Sequence, residues 1–337
     1  MPEYKKSEAR EWAWEKMKGV ANVIIPTFTQ DLSNLNERAI RHDVRKEIEY
    51  GFWGTLLVAE TATTMREYLQ FADWAADEAK GRLRLIHHAS FNTLEENIKA
   101  VKEAEARGAQ LVLLSYPANF YAQSAEDVYK YTAAFCAATN LGIILFPVPL
   151  WGFERIHPAG MPPELIVRMV EEIPNIIAVK AEGGMPTIGG FVETFKRLAD
   201  KVLVTMPLES DGLPLAMIVK MQFMGTSNFE YYGPMIPRIF ALVQEGKWQD
   251  AMALYWQIHP GRIANIAANS IAGTNFIHRM LWKYQGWLSG FNGGPLRQPT
   301  MRLVDSQMRA LRQGLERSRL QVGEEPDREF FTGRNPA

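Results

Sequence analysis

Residues 20–227 repeat one short theme. An apolar run of four to six residues is followed by a helical pattern, and the pair then recurs. The runs are Val20–Ile25, Gly54–Val58, Leu83–His87, Leu111–Leu114, Gly142–Phe146, Ile176–Lys180, Val202–Thr205 and Met224–Ser227. Helical patterns fill the intervals, over Asn36–Tyr50, Arg66–Lys80, Thr93–Arg107, Ser124–Thr139, Pro163–Glu172, Thr187–Ala199 and Leu213–Met221. Thr93 with Glu96 predicts a capping box, and Ser124 with Asp127 an N-cap of the same spacing. Runs this short and this continuously apolar predict strands buried on both faces, as in a parallel sheet. Eight such strands, each followed by a helix at a spacing of roughly 25–30 residues, predict an α/β fold, a (β/α)8 TIM barrel.

The barrel is expected over residues 19–240. Residues 1–18, charged and carrying Trp12 and Trp14, predict a short N-terminal helix. Residues 241–337 predict a C-terminal α-helical extension, with helices expected over Pro237–Glu245, Trp248–His259, Ala264–Tyr284 and Thr300–Arg319. A chain of 337 residues with 47% hydrophobic residues is long enough for one such barrel with extensions. The formal net charge of -1 gives no basic surplus for nucleic acid or an anionic membrane. The single cysteine, Cys136, excludes an internal disulfide and lies in a helical pattern as a small core residue. The N-terminus shows no apolar signal region, and no run of about 18 apolar residues occurs, so a cytoplasmic protein is expected. The six histidines show no metal-binding spacing, so no metal or other cofactor is expected.

Active sites of such barrels are built at the C-terminal ends of the strands. That rule selects Thr27, Glu60, Thr61, His87, His88, Ser115, Tyr116, Phe146, Lys180, Glu209, Ser227 and Asn228. Lys180 stands out, because it closes the run Ile176-Ile-Ala-Val-Lys180 and precedes Gly183-Gly184. Lysine is rarely buried unless it is paired or used. Set in an apolar pocket, its amine is driven toward the neutral form and attacks carbonyls. A lysine that snorkels to solvent satisfies the same local pattern.

Two stretches carry a resemblance. Ile143-Ile-Leu-Phe-Pro-Val-Pro149 precedes Ile173-Pro-Asn-Ile-Ile-Ala-Val-Lys180 by about thirty residues, and Gly293-Gly-Pro-Leu-Arg-Gln-Pro299 follows late in the chain. From about Gly19 to Leu320 the sequence resembles the class I, Schiff-base pyruvate aldolase/lyase family that contains dihydrodipicolinate synthase and N-acetylneuraminate lyase. The resemblance implies that Lys180 is the Schiff-base lysine. It sets Val58-Ala-Glu-Thr-Ala-Thr63 where the family binds the keto-acid carboxylate. Thr61 then matches a family threonine, Glu60 replaces another, and Ala59 and Ala62 replace two glycines. Thr226 and Ser227 match the late strand that flanks the imine. Phe146 stands where the family has a proton-relay tyrosine, and a phenyl ring carries no proton.

The resemblance therefore implies a lyase or aldolase acting on a 2-oxo acid such as pyruvate, with C–C cleavage or formation. An aldehyde is the expected second substrate, and a homo-oligomer, a dimer or tetramer, the expected assembly. Imine-dependent hydration, dehydration or deamination on the same scaffold is an alternative. A non-catalytic barrel that binds a small acid is another. The expected substrate-binding set is Glu60, Ala62, Phe146, Thr226, Ser227 and Asn228. Proton transfer would pass to Thr61 or Tyr116, with His88 and Glu182 as further candidates. Each has a packing alternative. Tyr116 also fits a pocket wall. One of His87 and His88 must face the helices, because neighbouring strand residues alternate. Glu182 also fits a surface ion pair. Asn228-Phe-Glu-Tyr-Tyr-Gly-Pro234 fits either a specificity loop or packing against the C-terminal helices.

Overall fold

The computed structural model describes residues 2–181, 187–270, 278–297 and 302–337. A 3-10 turn at Lys6–Glu8 leads into helix α1 (Ala9–Lys16). Strands and helices then alternate. They are β1 (Gly19–Ile24), α2 (Glu37–Glu49), β2 (Gly54–Leu57), α3 (Met65–Ala79), β3 (Arg84–Ala89), α4 (Leu94–Ala106), β4 (Leu111–Leu114) and α5 (Ala125–Ala137). Next come β5 (Gly142–Leu145), α6 (Pro163–Glu172), β6 (Ile176–Lys180), α7 (Thr187–Leu198), β7 (Leu203–Thr205), α8 (Glu209–Ile218) and β8 (Phe223–Gly225). Helices α9 (Met235–Gln244), α10 (Trp248–Gln257), α11 (His259–Ser270), α12 (Arg279–Leu288) and α13 (Asp305–Arg317) follow.

The strands form one sheet in the order β7-β6-β5-β4-β3-β2-β1-β8. The pairs β1–β2 and β3–β4 through β6–β7 are parallel. Sequential parallel strands with a helix after each are the (β/α)8 TIM topology, here with an α-helical C-terminal extension. Two compact units are distinguished. The first comprises Met1–Lys18, Leu85–Leu215 and Val219–Gly225, and the second Gly19–Arg84, Ala216–Ile218 and Thr226–Ala337.

Several boundaries differ from expectation. β3 runs on to Ala89 because His87 and His88 continue the ladder against Val112 and Leu113. β8 stops at Gly225, so Thr226 and Ser227 lie beyond the strand. α8 starts four residues early, at Glu209, and accommodates Pro214 inside it. Gly212 and Pro214 hide this start, because both read as helix breakers. Thr93 does accept from Glu96 N at 3.1 Å, but the Glu96 carboxylate takes Asn92 N instead of closing the box. Ser124 and Asp127 close a full capping box. In place of one helix over Ala264–Tyr284 stand the end of α11 and the start of α12, and residues 271–277 lie outside the described set.

In the first unit, β6 is held from below. Arg10 of α1 donates to Ile176 O at 2.9 Å, to Ile173 O at 3.0 Å and to Val170 O. Asn175 Nδ2 donates to Leu141 O at 3.0 Å, joining the start of β6 to that of β5. Val170 lies in the last turn of α6 and Ile173 just past it, where helix-end carbonyls lack intrahelical donors. A charged donor on carbonyls contributes more than a neutral one, about 1.5–3 kcal/mol net. Arg10→Ala is therefore expected to lower stability by about 2 kcal/mol. Thermal melting monitored by circular dichroism should show a fall of several degrees, with Arg10→Lys intermediate. An unchanged melting temperature would show that the extension does not brace the strand.

Candidate active site

β6 buries all five of its residues, and Lys180 at its C-terminal end is 5% exposed. The register fixes what lies beside it. Ala89 pairs with Leu114, Leu114 with Leu145, Leu145 with Val179, and Lys180 with Thr205. One residue onward, Ser115, Phe146, Lys180 and Thr205 form a row across four adjacent strands. In-register neighbours of a parallel sheet project to the same side. The contacts agree, because Lys180 Nζ lies 3.7 Å from the centroid of the Phe146 ring. The ring is itself fixed. Trp151 meets it edge-on at 5.7 Å and 84°, and Trp151 Nε1 donates to Phe146 O at 2.7 Å.

Strand alternation sorts the remaining candidates of this unit. Tyr116 follows Ser115 and points the other way. Its hydroxyl meets Thr132 Oγ1 of α5 at 2.6 Å, and its ring packs among Phe120, Tyr131 and Phe153. Burial raises its pKa further above the ordinary phenol value. Tyr116, expected as a proton carrier, thus places its hydroxyl in the helix layer, while its ring also meets Trp151 at 5.9 Å. His88 pairs with Leu113 and so shares the side of Ser115, and its Nε2 lies 2.8 Å from Ser115 Oγ. His87 takes the opposite side. Burial, aided by the Arg107 charge at the end of α4, pushes its pKa down to about 4. Glu209 is the first residue of α8, where a carboxylate suits the helix dipole. Glu182 lies outside the described residues.

The second unit holds the other expected residues. Glu60 forms an ion pair with Arg279 of α12, so its carboxylate is neutralised rather than bare. Thr61 and Thr226 are both 2% exposed, and neither Oγ1 has a hydrogen-bond partner among the described residues. Ala62 adopts φ 57°, a left-handed conformation that costs a non-glycine residue about 1 kcal/mol. Ser227 O accepts from Phe229 N, and Asn228 Nδ2 donates to Gln285 Oε1 at 2.8 Å. The aromatic stretch after it is core, since Phe229, Tyr231 and Tyr232 are buried and Tyr231 donates to Leu311 O. Arg297 of the late Gly-Pro segment grips Glu67 through two bonds of 2.6 and 2.7 Å and covers the Phe28 ring at 4.3 Å.

This unit also buries ionisable groups that carry no local sequence signal. Lys283 donates to Thr27 Oγ1 at 2.6 Å and to the carbonyls of Pro26 and Ile25 at 3.1 and 3.2 Å. Burial lowers its pKa, while Asp43 opposes the shift. Asn22 joins two buried carboxylates, donating to Glu47 Oε1 at 2.6 Å and accepting from Phe229 and Glu230 N. Burial pushes Glu230 up to about 8 and Glu47 well above the usual carboxylate range. Arg279, Lys283, Glu47 and Glu230 were all missed by sequence reasoning. Each reads as part of an amphipathic helix or loop until its distant partner is known. Among the described residues no cluster of histidine, cysteine, aspartate and glutamate could hold a metal, and no helix is long and apolar enough to cross a membrane.

Comparison with known proteins supplies a family. The sequence profile of the Dihydrodipicolinate synthetase family matches residues 16–317. The 4-hydroxy-tetrahydrodipicolinate synthase of Methanopyrus kandleri is 27% identical over 183 residues, 53% of this chain and 59% of the relative. The enzyme of that name from Bacillus subtilis is 29% identical over 164 residues, 47% of this chain and 54% of the relative. The chain thus spans little more than half the length of these relatives. Dihydrodipicolinate synthase from Aquifex aeolicus superposes with a TM-score of 0.77 at 17% identity, over 91% of this chain and 100% of that one. N-acetylneuraminate lyase from Proteus mirabilis does so with 0.74 at 17%, over 90% and 99%. At such identities the structural likeness is one of fold.

The raised carboxyl of Glu230 has a consequence for stability. An unfolded glutamate titrates near 4.5, and the folded one near 8, so the folded state holds the extra proton between those values. Stability is then fully present below about pH 4.5 and is lost as pH rises through about 8, by at most about 1.4 kcal/mol per pH unit. Glu230→Gln should flatten the fall in melting temperature between pH 5 and 9, leaving only the part due to Glu47 and Asp43. An identical slope in both proteins would mean that Glu230 is ionised in the fold.

Proposed function

The chain belongs to the dihydrodipicolinate synthetase family, and from that premise we propose that it is a class I lyase or aldolase that binds a 2-oxo acid as a Schiff base on Lys180. One observation carries the reading: a lysine amine buried at the C-terminal end of β6 with its Nζ 3.7 Å from an aromatic ring. Desolvation disfavours the charged form of any buried amine. A ring face favours a cation by about 0.5–2 kcal/mol and so works against that tendency. The neutral amine adds to the keto carbon, water leaves, and the protonated imine becomes the electron sink for breaking or making the adjacent C–C bond. Phe146 and Trp151 give the amine apolar surroundings that suit an aldehyde partner with an apolar body.

Two features support a carboxylate-bearing substrate. Glu60 is neutralised by Arg279, so the loop that resembles the family's carboxylate-binding segment does not present a bare negative charge. The hydroxyls of Thr61 and Thr226 are buried without a partner among the described residues, a state that costs about 1–3 kcal/mol for each unless another group or water meets it. We assign both threonines to substrate binding. Lys283 is the competing buried amine, but its three acceptors give it a structural role. Assembly into a homo-oligomer in the cytoplasm belongs to the same proposal, and sedimentation velocity giving more than the mass of one chain checks the assembly.

Reductive trapping tests the chemistry. The protein is incubated with pyruvate, reduced with borohydride, digested and weighed. The peptide containing Lys180 should gain one reduced pyruvate, the peptide containing Lys283 should not, and Lys180→Ala should give no adduct. No adduct with pyruvate or a longer 2-oxo acid, or an adduct on Lys283, would sink the proposal. An adduct formed without turnover of any 2-oxo acid would favour a barrel that binds small acids without catalysis.

A further inference from the structure

The position where the family places a tyrosine hydroxyl holds Phe146, so the imine needs another group to move its protons. We propose that Ser115, backed by His88, is that group: Ser115 Oγ takes a proton from the carbon next to the Lys180-bound imine and passes its own proton to His88 Nε2. The inference rests on the Schiff-base reading of Lys180.

Placement comes first. Ser115 occupies the same row as Phe146 and Lys180, at the C-terminal ends of β4, β5 and β6, and projects to the same side. Adjacent strands lie about 4.8 Å apart, so the Cα atoms of Ser115 and Lys180 are separated by two spacings, roughly 10 Å. The Lys180 side chain does not stand upright in that gap. Its Nζ leans over the Phe146 ring at 3.7 Å, onto the strand that lies between it and Ser115. A three-carbon acid attached to Nζ therefore has a route across the ring face toward the serine. The phenyl ring serves as a floor, and the hydroxyl it lacks is supplied one strand away.

The hydroxyl is also prepared for transfer. Ser115 Oγ and His88 Nε2 are 2.8 Å apart, within the range at which a nucleophile or relay hydroxyl is coupled to its base. Both residues are buried, at 0% and 3% exposure, so the proton they share is shielded from bulk solvent. The two other polar candidates on these strands are turned away. Tyr116 is bonded to Thr132 in the helix layer, and His87 lies on the opposite face of β3 from His88.

The step balances. In the imine the nitrogen is positively charged. The C–H bond beside C2 breaks, its electron pair forms the C2=C3 bond, and the C2=N pair moves onto nitrogen, leaving a neutral enamine. The proton goes to Ser115 Oγ as the proton of Ser115 goes to His88. Reversal returns a proton to carbon and restores the imine. No oxidant, metal or second substrate is required, so pyruvate alone reports the step.

The test uses the full chain with pyruvate in D2O and follows loss of the methyl proton signal by NMR, alongside borohydride trapping. The wild type should trap and should exchange its methyl protons. Ser115→Ala and His88→Gln should still trap pyruvate on Lys180, which shows a folded, imine-competent site, but should exchange about 10²-fold more slowly or less. Ser115→Thr, which keeps the hydroxyl, should recover exchange to within about tenfold. A pH-dependent limb of the exchange rate in the wild type should vanish in His88→Gln, which a purely structural histidine would not produce. Exchange that is unchanged in both Ser115→Ala and His88→Gln overturns the inference while leaving the Schiff base intact. Failure of Ser115→Thr to recover also counts against it. Absence of trapping in the wild type overturns the Schiff-base reading and this inference together.

Discussion

Burial of one amine sets the terms for the first unit. Lys180 ends a strand whose other four residues are Ile176, Ile177, Ala178 and Val179, all without measurable exposure. Placing a lysine there carries a desolvation cost that its surroundings must offset. The rest of the unit keeps it in place. Arg10 and Asn175 hold the start of β6, the register ties its end to Thr205, and Trp151 fixes the Phe146 ring over which the amine lies. Rigid strands make better supports for such a group than loops do, because a nucleophile displaced by about 1 Å loses much of its advantage.

The second unit handles charge differently. Its half-buried carboxylates are paired with cations, and its fully buried ones are held neutral. Glu60 is matched by Arg279 and Glu67 by Arg297, whereas Glu47 and Glu230 share one asparagine and are driven toward the protonated form. A buried pair adds little net stability, yet loss of either partner leaves an uncompensated charge. Arg279 thus matches the charge that Glu60 introduces. Ala62 shows a related compromise. It keeps the left-handed backbone at a position where the family has glycine, accepting a small conformational cost to preserve the turn.

The eight strands and most helices were legible because their signals are local: apolar runs, caps such as Ser124 with Asp127, and glycines after helices. Lys180 was legible because it breaks an apolar run at a position that the barrel makes special. What stayed hidden depends on pairing over long separations. Glu60 and Arg279 are 219 residues apart, and nothing near either one announces the other. The pair Ser115 and His88 was half visible. Both sit near strand ends, but β3 extends two residues past its expected end at His87, and only the true register shows that His88, not His87, shares the serine's side. Pro214 misled for the opposite reason, since a strong local signal against helix was overridden by packing.

Strand geometry turns the Tyr116 hydroxyl away from the side that Lys180 and Phe146 share. Side chains alternate with a period of two, so moving one residue along β4 exchanges the interior for the helix layer. Tyr116 is one residue out of phase, and its buried hydroxyl settles on Thr132. A hydroxyl on the right side of β4 must come from residue 113 or 115, and of these only Ser115 carries one. Serine is a poorer acid than tyrosine by several units of solution acidity, so it cannot act alone. It needs a base within hydrogen-bond reach on the same side, and alternation on β3 leaves His88 as the residue so placed. A barrel that keeps its lysine without that phenol is chemically coherent with such a pair on the lysine's side of the sheet, Ser115 in its row and His88 opposite Leu113.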